Sequence, residues 1–110
     1  MEGQEKSMIH AVKIIPEYYE AVKDGRKRFE VRKADRPYKE GDYIALNEHD
    51  VSGYTGRSVL FKITYLLNSP LYCKEGYVIL GIAPCGIMCE GDEPFGNAPR
   101  FELGVIPNDR

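Results

Sequence analysis

The sequence predicts a mainly β (α+β) fold: five or six strands curled into a small barrel, with one or two short helices. Three observations carry that prediction. Short runs rich in β-branched and aromatic residues recur along the chain, separated by Gly, Pro and Asn turn signals. Only residues 16–24 combine helical spacing with start and stop signals. A chain of 110 residues makes one domain with one modest core.

The elements follow in order. Met8–Ile15 reads as a first strand, with Ile9, Val12, Ile14 and Ile15 as its apolar positions. Pro16 suits the first position of a helix, and Glu17 and Glu20 suit its early turns. Tyr18, Ala21 and Val22 fall at helical spacing, and Gly25 is a C-terminal stop. A strand near 28–32 comes next, then a polar connection through Arg36 and Pro37. Lys39-Glu40-Gly41-Asp42 reads as a tight turn. Tyr43–His49 is a strand, Ser52–Gly56 a hairpin loop, and Val59–Leu67 the strongest strand signal in the chain. Gly76–Ile82 closes the domain near residue 83.

Residues 84–110 change character. They hold four of the seven prolines and no lysine, and are expected to form an irregular tail. Within it, Phe101–Ile106 suits a short edge strand or a partner contact.

Charge is unevenly placed. The chain carries a net charge of -2, so it is not a generally basic nucleic-acid binder. Yet Lys23–Lys39 holds eight Lys/Arg against three acids, a local net of +5. No apolar run approaches a membrane span or a signal-peptide core, and the expected compartment is the cytoplasm. Three cysteines, Cys73, Cys85 and Cys89, argue against a disulfide framework. Their spacing to His10 and His49 matches no strong zinc signature, so neither metal nor cofactor is expected.

The run Gly25-Arg26-Lys27-Arg28-Phe29-Glu30-Val31-Arg32 concentrates the chemistry. Period-2 alternation in a strand sends Arg28, Glu30 and Arg32 to one face and Lys27, Phe29 and Val31 to the other. On that reading Phe29 and Val31 anchor the core while Arg-Glu-Arg lines a cleft or meets solvent. A carboxylate between guanidinium groups can orient them for a phosphate-bearing or nucleobase ligand. The same row also suits a solvated ladder worth well under about 1 kcal/mol. Arg26, Arg28, Lys33 and Arg36 read as a shared electrostatic footprint for a polyanion. Tyr54 and Thr55 can stack on or hydrogen-bond a base. His10 suits a cleft acid or base, or a hydrogen-bonded structural role. Glu20 and Asp24 are expected to face solvent.

The helix Pro16–Val22 running into Gly25–Arg32, followed by Glu40-Gly41-Asp42, Gly53–Arg57 and Gly76–Leu80, resembles the ASCH-type branch of the PUA-like superfamily. The signature of that branch is a G-x-K-x-x-E-x-R run, here carried by Gly25, Lys27, Glu30 and Arg32. It is similar in particular to a bacterial and phage group within the branch. The likeness spans residues 8–83. It implies a β-pseudobarrel with a cleft beside the helix, and RNA or a modified nucleoside as ligand. One branch of the superfamily resembles amidohydrolases that deacetylate acetylcytidine with a Lys, a Thr three residues later and a distant Glu. Lys27 matches that lysine and Arg32 the arginine five residues on. Glu30 stands at the position of the Thr.

Two function classes follow. The first is an RNA- or nucleotide-binding module using Lys27, Glu30, Arg32, Arg28, Arg36, Tyr54 and Thr55. The second is a small amidohydrolase acting on a modified nucleoside, with Lys27 as polarising or nucleophilic group and Glu30 as general base. The binding module is the preferred reading.

Overall fold

One mixed sheet runs through nearly every element of the protein. The structure, a computed structural model, describes residues 7–89 and 104–105. In chain order the elements are β1 (Met8–Ile14), α1 (Pro16–Lys23), β2 (Phe29–Lys33), β3 (Tyr43–Asp50), β4 (Gly53–Leu67), β5 (Tyr77–Cys89) and β6 (Gly104–Val105). The sheet order is β2-β5-β4-β3-β1-β6. β1 pairs β3 in parallel, and the other pairs are antiparallel. The result is a curled half-barrel consistent with the expected β-pseudobarrel, with one short helix among the described residues.

Bulges curl the sheet, since an extra residue on one strand bends it and raises its twist. Register shifts fall between Leu60 and Phe61 and between Ile63 and Tyr65 on the β4–β5 pair. Pro84 sits beside the first of them, where a missing N–H breaks no regular ladder. That bulge lets β5 continue to Cys89, well past the strand end expected at Ile82. Residues 90–103 and 106–110 of the expected tail lie outside the described residues. Gly104 and Val105 do pair with Ile9 and Met8, as a short edge strand.

The core lies inside the curl. Val12 and Ile14 of β1, Ile44 and Leu46 of β3, Val59, Phe61 and Ile63 of β4, and Val78, Leu80 and Ile82 of β5 are buried together. The helix closes one end of the curl with Tyr19 and Val22. This corrects the expected helix stripe, because Tyr18 is 46% exposed and Tyr19 fully buried. Helix α1 ends where Gly25 adopts φ +87, and the backbone amide of Lys27 returns to Ala21 O at 3.0 Å. The turn before β3 forms as expected: Asp42 N–H donates to Lys39 O at 3.0 Å, with Gly41 at φ +94.

The expected hairpin loop at 52–56 is shorter. Only Val51 and Ser52 separate β3 from β4, so Tyr54 and Thr55 are strand residues. Asn47 pairs Ser58 and His49 pairs Tyr54, which sets Thr55-Gly56-Arg57 as a bulge opposite Glu48. Gly56 takes φ +95 there.

The curl stops short of closing. β1 and β2 are not neighbours in the sheet, and arginine side chains bridge them instead of a backbone ladder. Arg32 donates through both Nη atoms to Lys13 O at 3.3 Å, and Arg36 donates to Ala11 O at 3.2 Å. This open seam positions the site.

Candidate functional site at the open seam

A cleft of about 690 Å³ lies where the seam meets the helix. Lys13, Ile14 and Ile15 form one wall, Glu17, Tyr18 and Ala21 of α1 a second, and Arg26–Lys27 with Phe29–Arg32 the third. Its volume falls in the range of small-ligand pockets, about 300–1,000 Å³.

Lys27, Glu30 and Arg32 converge on this cleft. Glu30 is 2% exposed and holds the centre. Lys27 Nζ donates to its Oε2 at 2.5 Å, and Arg32 Nη1 donates to its Oε1 at 3.0 Å. Lys27 Nζ also donates to Phe29 O at 2.8 Å. A buried carboxylate held by two cations is an orienting device, because each charged hydrogen bond fixes a donor's direction.

Glu30 and Arg32 line the cleft as one expected alternative has it, but the burial expected for Phe29 and Val31 is inverted. Phe29 is 46% and Val31 50% exposed, while Glu30 points inward. The physical reason is position. β2 is an edge strand at the seam, and its inner face meets a polar mouth that supplies Glu30 with counter-charges. Its outer face forms the cleft wall beside α1, which Phe29 and Val31 line. Phe29 and Tyr18 flank the Lys27 ammonium, at 4.9 and 5.3 Å from Nζ to the ring centroids.

The other expected residues scatter. Arg28 is exposed, donates to Gly25 O at 3.1 Å, and lines a separate cavity of about 300 Å³ with Val59, Phe61 and Cys85. Arg36 lies farther along the seam, beside Asp35 at 3.8 Å. Tyr54 faces the seam, with Lys13 Nζ 5.8 Å from its ring centroid. Thr55 does not reach the cleft, since its hydroxyl donates to Glu48 Oε1 at 2.7 Å. His10 is fully buried, pairs with Asp42 Oδ2 at 2.8 Å and packs on the Tyr38 ring, outside the cleft lining. Asp24 and Glu20 are exposed as expected. Arg26 beside Asp24 holds its carboxyl below the usual range, and Glu20 takes Arg57 at 2.8 Å.

Sequence reasoning missed two sets of residues. Lys13 and Tyr18 belong to the cleft; Tyr18 sits one helical position away from the buried Tyr19–Val22 stripe, beside Glu17 and Ala21. The second set is a clamp behind the helix. Arg57 donates to Glu48 Oε1 and Oε2 at 2.8 and 2.9 Å and to Glu20 Oε2 at 2.8 Å. Its guanidinium lies 4.4 Å from the Tyr19 ring centroid. The Arg57 hydrogen bonds hold the Glu48 carboxyl below its ordinary range against the opposing effect of burial, and Glu48 in turn pushes Arg57 upward. No sequence signal announces this clamp, because the β4 bulge creates it. Tyr38 is pushed up by burial, and the nearby Arg32 and Arg36 charges only partly offset that.

Fold and cleft together define a small β-pseudobarrel protein with a cationic, aromatic-walled pocket at an open seam. The chain belongs to the family described as Domain of unknown function (DUF3850), which matches residues 9–82. It is also similar to a protein of Escherichia phage P2 named "Uncharacterized 12.9 kDa protein in GpA 3'region", at 40% identity over 72 residues. That match covers 66% of this chain, and the chain spans 65% of the phage protein's length. Among the described residues, no helix is long and apolar enough to cross a membrane.

Proposed function

We propose that the protein is an ASCH-like binding module that takes RNA or a nucleotide in the seam cleft, in the cytoplasm. One observation carries the reading. Two half-exposed aromatic rings, Tyr18 and Phe29, share a cleft with Lys13, Arg26, Lys27 and Arg32. A nucleotide combines a flat base with an anionic phosphate, and this wall offers a surface for each. Glu30 offsets the mutual repulsion of Arg32 and Lys27 and aims their remaining donors. The resemblance to the ASCH-type branch supports the same ligand class.

The hydrolase reading is weaker on chemical grounds. A lysine nucleophile must be a neutral amine. Lys27 instead donates two hydrogen bonds, one of them to a carboxylate at 2.5 Å. Both Glu30 oxygens already accept from cations, so a water would compete with Lys27 and Arg32 for their remaining lone pairs.

Anisotropy titration of a labelled single-stranded RNA across a salt series tests the binding reading. With three or four phosphates neutralised, log affinity should fall against log salt with a slope of roughly -2 to -3. Arg32→Ala should cost about 1–3 kcal/mol, and Arg32→Lys should not restore it because Lys lacks the planar fork. Absence of binding at low salt, or binding indifferent to Arg32→Ala, would overturn the reading.

A further inference from the structure

The seam holds a second cavity of about 360 Å³ directly beside the cleft. Its lining is Ala11, Val12, Lys13, Arg32, Arg36 and Tyr54. Lys13 and Arg32 line both cavities, so these two cations form the wall between them. The second cavity carries three cations and no carboxylate in its lining; the nearest acid partner of Arg36 is Asp35, exposed at its edge at 3.8 Å. Tyr54 adds an aromatic surface. Its ring packs edge-on against His49, with centroids 4.9 Å apart, and Lys13 Nζ lies on its other contact.

The two compartments therefore repeat one pattern. Each pairs aromatic surface with guanidinium or ammonium donors, and cations stand at their junction. A free mononucleotide fills one compartment and leaves the other cationic and unfilled. A strand of two nucleotides satisfies both, because its linking phosphate is anionic and sits between two bases. Arg32 suits the junction. Glu30 Oε1 and Lys13 O hold its guanidinium from within the protein, which fixes the plane of the fork.

We propose that the seam binds a single strand of nucleic acid across at least two nucleotides. The linking phosphate lies at Lys13 and Arg32, the first base against Tyr18 and Phe29, and the second nucleotide against Tyr54 and Arg36. This rests on the nucleotide-binding reading above and adds the length and polymeric character of the ligand.

Isothermal titration calorimetry on the full chain separates the two claims. The probes are uridine 5′-monophosphate, the 5′-phosphorylated dinucleotide pUpU, and the deoxy dinucleotide d(pTpT). pUpU should bind about tenfold or more tighter than the mononucleotide, the order expected for one further stacked base and phosphate contact. In Arg36→Gln and in Tyr54→Leu that ratio should fall to about two or less. The ratio is taken within each variant, so a general loss of folded protein cannot imitate it. A gain limited to pUpU assigns the strand to RNA, and an equal gain with d(pTpT) assigns it to single strands of either sugar. A mononucleotide that binds as tightly as pUpU would overturn this proposal while leaving the cleft reading intact. So would a ratio untouched by both substitutions. Binding of none of the three probes would overturn both.

Discussion

Replacing Arg57 by Met should unfasten the helix that forms one wall of the cleft. The change removes two hydrogen bonds to Glu48, one to Glu20 and the guanidinium contact on Tyr19. It leaves Glu48, 3% exposed, with the Thr55 hydroxyl and the charge of Lys23. Breaking a fully buried ion pair costs about 3–5 kcal/mol. The Arg57 side chain is 28% exposed, so water shares its charge, and the expected loss at pH 7 is about 2–3 kcal/mol. With a urea slope of about 1–1.5 kcal/mol per M, the unfolding midpoint should drop by about 2 M. Circular dichroism follows it, in urea because urea does not screen charge.

The pH dependence identifies the cause. In the wild type, Glu48 titrates below its ordinary 4.5 when folded. Its pairing therefore stabilises the fold above about pH 4.5, and that contribution is lost as pH falls through the lowered folded value. In Arg57→Met the unpaired, buried carboxylate is penalised only while ionised. The stability gap between the two proteins should thus be largest near neutrality and should narrow towards pH 4. Adding Glu48→Gln to Arg57→Met should recover about 1 kcal/mol or more at pH 7, since no buried charge remains. A gap that stays constant or widens in acid would refute the reasoning. So would a cost below about 0.5 kcal/mol, the level of an ordinary surface substitution.

Three further outcomes are expected. Incubation with acetylcytidine followed by chromatography should show no enzymatic turnover, whereas turnover abolished by Lys27→Ala would promote the hydrolase reading. Gly41→Ala should lower stability by about 1–2 kcal/mol in urea titration, purely through backbone strain, because φ is +94 and no atom lies within 4 Å of the added Cβ. Tyrosinate absorbance should contain a late-ionising component that Tyr38→Phe removes, and a titration unchanged by that substitution would refute the assignment. Folding favours neutral Tyr38, so stability should begin to fall as pH rises past about 10, where the unfolded chain ionises first.

Much of the fold was legible from local signals. Pro16 and Gly25 bracket the helix because both impose their backbone conformations without tertiary help. Gly41 marks its turn for the same reason. The Val59–Leu67 run declares a strand through β-branched and aromatic residues, and the run from Gly25 to Arg32 marks where the charged chemistry gathers. These are properties of a residue and its near neighbours, and the sequence alone determines them. Which face of β2 turns inward was not such a property. Alternation defines two faces and places Lys27 and Arg32 within reach of Glu30, but which face turns inward depends on the curl, which leaves β2 at an unpaired edge and sets Arg32 against Lys13 O, nineteen residues away. The Tyr18–Tyr19 choice, the Glu48–Arg57 clamp and the sharing of Arg32 between two cavities have the same origin. Each depends on bulges and a seam that join residues distant in the chain, and only the tertiary structure decides such contacts.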